Sequence, residues 1–218
     1  MADTLGVQEK SIWCAAYLTL LSLLDGSART VGSVVTHGRP EMAGADQMLG
    51  LFLNALPLPC DLSGMRWQDL IAATDARLSA YYEIRHYPLA AIQADSGLDF
   101  SGAAFNYTNF HVYKTANAGA ELDVGGGFDE TNYRLLVNVR KNETSGRHMF
   151  LMNAEPSVFD AAMRERIAGY VEAILARMTA DAAAPIDKAL LLAHEAAALD
   201  ANAPAPVPAS PLCVHERF

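Results

Sequence analysis

The spacing of apolar and polar residues divides the chain into predicted helices and strands. From Val7 to Leu24 apolar residues recur every three or four positions, and the Asp25-Gly26 pair that follows is typical of a left-handed helix cap. The same spacing predicts a helix over Trp67–Tyr82. It also predicts a long helix that begins at about Ser157, with Ser157 as its N-cap.

Shorter segments with β-branched residues or strict alternation are predicted to be strands. These segments are Thr30–Thr36, Leu51–Leu58, Ala103–Lys114, Asn132–Arg140 and His148–Asn153, the last two joined as a hairpin. Because proline has no amide hydrogen for a central ladder, Pro57 and Pro59 indicate that their strand ends there or lies at an edge. The segment over Ala103–Lys114 has polar residues on both faces, which favours a strand at an edge or beside a cavity.

Interleaved helices and strands predict an α/β fold, a two-layer sandwich in which helices flank a mixed open sheet. The composition changes after Leu199, where ANAPAPVPASP contains four prolines and a single large apolar residue. We therefore predict one folded unit over residues 1–200 and a linker rich in proline and alanine over 201–218.

Charge and composition narrow the class of partner. The 218 residues are 51% hydrophobic, the net charge is −9 and the isoelectric point is near 5.0. This acidity counts against nucleic acid or an anionic membrane as a partner, because phosphate groups select a basic surface. The apolar run Ile12–Leu24 is too short to span a bilayer, and Cys14, Cys60 and Cys213 lack metal-type spacing. We expect reduced thiols and a cytoplasmic location.

The sequence offers no self-contained active site. Six histidines are scattered without a metal-binding or paired motif, and Gly125-Gly126-Gly127 does not open a helix as a phosphate-binding loop would. Four aspartates have no spacing that singles them out for acid or base chemistry: Asp61, Asp69, Asp75 and Asp99. We therefore assign no catalytic residue and no metal ligand.

Several ordered motifs resemble one family, the condensation domain of non-ribosomal peptide synthetases. They are Gly38-Arg39-Pro40, Gly50-x-Phe52-x-Asn54, Leu56-Pro57-Leu58, the segment RHYPL over 85–89, Asp99-Phe-Ser101, and LCVHERF over 212–218, which is similar to the approach to an adenylation domain. Two features depart from the family pattern. Pro59 stands where the family usually has arginine, and the catalytic His-His-x-x-x-Asp-Gly motif of the N-terminal half does not occur in these residues.

The resemblance implies the C-terminal lobe of such a domain, one half of a chloramphenicol-acetyltransferase-like fold. This lobe would form a channel wall for amide bond formation between a donor acyl or peptidyl thioester and an acceptor aminoacyl thioester. Implied partners are the N-terminal lobe, the upstream and downstream carrier proteins and a downstream adenylation domain. Phosphopantetheine would be carried by the carrier proteins, with no cofactor bound by this chain, and the isolated chain would be inactive. A non-catalytic carrier-docking module and the lobe of an epimerisation domain are the alternatives.

The resemblance and the strand pattern together select candidates for the substrate channel or the interlobe surface. They are Arg39, Gly50, Phe52, Asn54, Tyr107, Asn109 and His111. Asn54 either braces the channel near the partner lobe's histidines or satisfies neighbouring backbone where the strand bends before Pro57, and we favour the second. Arg39 either contacts a phosphopantetheine arm or anchors its own loop, and we again favour the structural role. A lobe without its partner should also expose an apolar surface.

Overall fold

The computed structural model describes residues 1–109, 131–142 and 145–187, together with residues 192, 195 and 197. A five-stranded sheet forms its centre, in the order β2-β1-β3-β4-β5. The strands are β1 (Arg29–His37), β2 (Leu53–Asp61), β3 (Ala103–Asn109), β4 (Leu135–Lys141) and β5 (His148–Ala154). β1, β3 and β4 run parallel, while β2 and β5 are antiparallel to their neighbours at the two edges. The predicted mixed open sheet is confirmed.

The helices are α1 (Ala2–Leu5), α2 (Glu9–Asp25), α3 (Trp67–Ile84), α4 (Leu89–Ser96) and α5 (Ala161–Ala180), and a short 3-10 turn spans Ala45–Gln47. α2 ends as predicted, because Gly26 takes the left-handed conformation with φ 62°. α5 begins later than predicted. Its N-cap is Asp160, whose carboxylate accepts the Met163 amide at 2.7 Å, whereas the Ser157 hydroxyl bonds to Glu155.

The hydrophobic core lies between the sheet and the helices that cover one of its faces. The Tyr17 ring of α2 stacks on Phe105 of β3, with centroids 5.5 Å apart. A second buried cluster joins α2, α3 and α5, and it includes Trp67, Ile71 and Ile174. Residues of α2 contribute to both clusters, on different sides of the helix. This explains why the middle turns of α2 are apolar on every side rather than along one stripe.

The edge position predicted for β2 as one of two alternatives is confirmed. The other alternative does not hold, because the strand does not end at its prolines: Pro57 pairs with Ser33, Pro59 pairs with Val31, and the strand continues to Asp61. The missing amide hydrogens cost nothing at positions that face away from β1. The predicted hairpin of β4 and β5 is confirmed in antiparallel register.

Of the two placements expected for the Ala103–Lys114 segment, at an edge or beside a cavity, the edge is wrong, because β3 lies in the middle of the sheet between β1 and β4. Two of its polar side chains, Asn106 and Tyr107, have polar partners among the described residues. The Asn106 amide donates to the Asn138 side chain at 2.9 Å on the face opposite the helices, and Tyr107 has polar partners on the helix face. Residues 110–114 of that prediction and the predicted linker over 201–218 lie outside the described residues.

Candidate functional site at the carboxyl edge of the sheet

Most of the candidate residues meet at one edge of the sheet. The parallel strands β1, β3 and β4 end there at His37, Asn109 and Lys141, and the antiparallel strands β2 and β5 begin there. We call this the carboxyl edge. It holds Arg39, Gly50, Phe52, Asn54, Tyr107 and the backbone of Asn109, while His111 lies outside the described residues.

Arg39 holds the connection between β1 and β2 in a fixed shape. Its guanidinium donates from Nη1 to the carbonyl oxygens of Ala45 at 2.6 Å and Met48 at 2.7 Å. It also lies over the Phe52 ring, 4.3 Å from the centroid. Charge-assisted bonds and a cation–π contact from one side chain bring both ends of the connection together. In this structure Arg39 is a loop anchor.

Two glycines, Gly38 and Gly50, lie where the two ends of this loop meet. The Gly38 amide donates to the Phe52 carbonyl at 2.7 Å, which begins the β1–β2 ladder. Gly50 has φ 153°, and a Cβ there would lie 3.4 Å from the Phe52 ring. An L side chain is strained at that φ, so Gly50 lets the chain turn back onto the ring that Arg39 covers.

The anchored loop presents apolar side chains to solvent. Leu49 is 99% exposed and Leu51 is 88% exposed, and Met42, Met48 and Leu53 are exposed beside them. We call residues 42–53 the apolar loop. Leucines so fully exposed on a fixed backbone are typical of a surface that another protein segment covers.

Both polar atoms of the Asn54 side-chain amide form hydrogen bonds with the backbone between α3 and α4. Its Nδ2 donates to the carbonyl oxygens of Arg85 at 3.0 Å and Tyr87 at 2.7 Å, and its Oδ1 accepts the Leu89 amide at 3.4 Å. These partners are more than 30 residues away, so the bonds join two elements rather than satisfying the bend before Pro57. The polar residue inside an apolar strand is therefore explained by a tertiary brace.

A second polar group surrounds Tyr107 at the same edge. The Glu9 carboxylate, at the first residue of α2, accepts from Lys141 Nζ at 2.7 Å and lies 3.4 Å from His148 Nε2. The Tyr107 hydroxyl lies 3.2 Å from the same His148 nitrogen and 3.4 Å from Glu9. Several contacts hold the pKa of Glu9 below its usual value, and the hydrogen bond from the Lys141 ammonium contributes most. This group ties α2 to β3, β4 and β5.

Sequence reasoning selected Tyr107 but missed Glu9, Lys141 and His148. The predicted hairpin could have paired Lys141 with His148, since the two residues flank the predicted turn. No local signal places Glu9 beside them, because it reaches this edge only through the packing of α2 on the sheet.

Three of the four aspartates considered from the sequence have structural partners. Asp75 accepts from the Ser11 hydroxyl at 2.6 Å and the Gln8 amide, and Asp61 pairs with Arg29 and the Ser63 amide. Asp99 accepts from both the hydroxyl and the amide of Ser101. Within the described ranges no group of three His, Cys, Asp or Glu residues is placed to hold a metal ion. No helix among those residues has the length and apolarity to cross a membrane.

Comparison with known proteins decides the family. The profile of the condensation domain matches residues 1–199. The chain belongs to the condensation domain family. It is 33% identical over 182 residues to the AMB antimetabolite synthetase AmbE of Pseudomonas aeruginosa, covering 81% of this chain and 8% of that protein.

Solved condensation domains share the fold. The condensation domain of the Monacolin K polyketide synthase MokA superposes with a TM-score of 0.67 at 16% identity, over 84% of this chain and 44% of that one. The first condensation domain of the CDA synthetase gives 0.65 at 18% identity, over 84% of this chain and 42% of that one. This chain thus spans less than half of each of these two solved chains.

Proposed function

We propose that this chain is the C-terminal lobe of a non-ribosomal peptide synthetase condensation domain, and that its carboxyl edge forms one wall of the channel in which two carrier-bound substrates react. The observation that carries the proposal is the apolar loop, whose backbone is fixed by Arg39 while Leu49 and Leu51 are left in solvent. The chain's coverage of 42 to 44% of solved condensation domains supports it, since one lobe of two accounts for such a share.

The lobe's contribution to the chemistry is positional. In the complete domain the acceptor amine attacks the donor thioester, an amide bond forms and the donor carrier's thiol leaves. The partner lobe supplies the histidine motif, which is absent from these 218 residues. A channel wall aligns the two carrier arms end to end and excludes the water that would hydrolyse the thioester.

The partners follow from this role. They are the N-terminal lobe, an upstream and a downstream carrier protein whose phosphopantetheine arms enter the channel, and an adenylation domain joined through residues 201–218. This chain needs no cofactor of its own and acts in the cytoplasm.

The test compares the chain alone with the chain joined to its upstream lobe. Donor and acceptor carrier proteins are loaded with acyl and aminoacyl groups, and the mass of the acceptor is measured after mixing. We expect product only from the joined protein. Product from neither, with the joined protein folded, would favour a docking module instead.

A pair of variants tests the apolar loop directly. Leu49→Asp with Leu51→Asp should lower product formation by the joined protein at least tenfold, because two carboxylates would be buried against the partner lobe. The control is Val158→Asp, an equally apolar exposed residue that follows β5 and so lies at the opposite edge of the sheet. Equal activity of the loop variant and the control would contradict the assignment.

A further inference from the structure

The edge strand β2 turns alternate backbone groups away from the sheet. In an antiparallel pair, residues bonded to the neighbouring strand alternate with residues whose N–H and C=O groups point outward. The Gly38 amide bonds to the Phe52 carbonyl where the β1–β2 ladder begins. The even-numbered residues of β2 therefore bond to β1, and its odd-numbered residues, which include Pro57 and Pro59, direct their backbone groups outward.

Such an outward edge is where a second strand would add, because each unpaired N–H and C=O group can bond to a new strand. At the centre of β2 these groups are missing or occupied. Pro57 and Pro59 have no N–H to donate. Their carbonyl oxygens accept hydrogen bonds from α3: the Tyr81 hydroxyl donates to Pro57 at 2.5 Å, and the Arg77 guanidinium donates to Pro59. The outward positions of both residues are thus unavailable to a partner.

The spacing of the helix matches that of the strand. Arg77 and Tyr81 are four residues apart on one face of α3, about 6 Å along the helix axis. Pro57 and Pro59 are two residues apart, about 7 Å along the strand. Leu78, which lies between the two donors in sequence, is buried in the core and fixes the helix beside β2. One side chain of α3 therefore reaches each outward carbonyl.

The outward positions that remain on β2 are separated by the two prolines. Leu53 and Ala55 lie at one end of the strand, and Asp61 lies at the other. Strands in folded proteins are typically about five or six residues long, which is more than either remaining stretch offers. A strand that added to this edge would lack its central bonds.

We propose that α3 and the two prolines close the β2 edge, so that a second copy of this chain cannot add its own β2 to the sheet there. Pro59 departs from the family pattern, and in this arrangement it removes one outward N–H while Arg77 covers its carbonyl oxygen. The inference rests on β2 and α3 alone and does not depend on the proposed function.

The test reopens the edge by four changes and measures self-association by sedimentation velocity. Two of them, Pro57→Val and Pro59→Val, return outward N–H groups. The other two, Arg77→Ala and Tyr81→Phe, free the carbonyl oxygens. A bond between two copies needs an N–H on one and a free C=O on the other, so either pair of changes alone should alter the dimer dissociation constant little. All four together should lower it about a hundredfold, because complete backbone bonds then form between the two β2 strands.

Background association and general effects of substitution are controlled separately. Every protein carries Leu49→Asp and Leu51→Asp, so that the apolar loop does not contribute to association. The matched control makes the same kinds of change at exposed residues outside β2: Pro156→Val, Arg164→Ala and Tyr82→Phe. This control should sediment as the parent does.

Two further measurements make the outcome decisive. Cooperative urea unfolding, followed by tryptophan fluorescence, shows which proteins are folded. If the fourfold variant does not fold, Pro59→Val with Arg77→Ala reopens a single residue that can pair with its own copy, and it should lower the dissociation constant about tenfold. Infrared spectra of the associated fraction should show added intermolecular antiparallel sheet. A folded variant that associates no more than the parent, association without added sheet, or an equal gain in the control would overturn the closure.

Discussion

Replacing Asn54 by aspartate tests whether the amide braces β2 to the connection between α3 and α4 as the structure shows. The exchange keeps the size and the Oδ1 acceptor, but it replaces the Nδ2 donor with an oxygen that faces the carbonyl oxygens of Arg85 and Tyr87. Two bonds with good geometry are lost, at about 1 kcal/mol each. A carboxylate placed against two carbonyl dipoles adds a repulsion, for a total of about 3 kcal/mol.

The assay is urea unfolding at pH 7, followed by the fluorescence of Trp13 and Trp67. We expect Asn54→Ala to lower the free energy of unfolding by about 2 kcal/mol, and Asn54→Asp to lower it further. Near pH 3 the introduced carboxyl group is largely protonated and regains a donor, so the gap between the two variants should narrow. The control is Asn132→Asp, which makes the same chemical change at an exposed position.

Asn54→Asp within about 0.5 kcal/mol of the parent at pH 7 would refute the brace. The same variants, made in the protein joined to its upstream lobe, separate stability from channel function. Asn54→Ala should reduce peptide formation in protein that remains folded, and equal losses of folding and activity would leave only the structural role.

Two further predictions concern the packing of α2. Gly32→Ala should destabilise the lobe by roughly 1–3 kcal/mol, because the new methyl group would lie 2.5 Å from the buried Tyr17 ring, whereas Gly102→Ala meets no atom within 4 Å and should cost nothing measurable by thermal unfolding. Glu9→Gln should lower stability at neutral pH by less than about 1 kcal/mol, since the Glu9 side chain is 42% exposed. The Lys141 contact lowers the pKa of Glu9 in the folded state, so its stabilisation is complete above the usual value near 4.5 and is lost as the pH falls below it. A difference from the parent as large at pH 3 as at pH 7 would contradict that linkage.

The sequence predicted element types better than element positions. Helical spacing and the Asp25-Gly26 signal located α2, since both depend on nearby residues. α4 was missed because the apolar residues among its eight form no stripe, and its start is set by Pro88 and the Asn54 brace. Of the two placements expected for β3, an edge or a cavity wall, the edge was wrong, because polar residues on both faces also fit a central strand whose partners lie on β4 and α2.

The sequence predicted which residues belong to the candidate site, but it did not predict the contacts that they make. Arg39 and Asn54 were selected as candidates, but their acceptors come from backbone up to 33 residues away, which no periodicity reports. An exposed apolar surface was expected in general, yet its separation from the core required the structure, since Leu49, Leu51 and Leu53 are exposed while Leu56 and Leu58 of the same apolar run are buried.

The contacts at the carboxyl edge explain how the chain can hold this edge in shape by itself. Arg39, Asn54 and Glu9 each bond within the chain, so the apolar loop, the start of α4 and the Tyr107 group are fixed by its own residues. The core beneath them lies on the helix face and is closed by α2, α3 and α5. Under the proposed function, binding a second lobe to such an edge requires little further ordering of its backbone, so more of the free energy of contact at Leu49 and Leu51 remains for association.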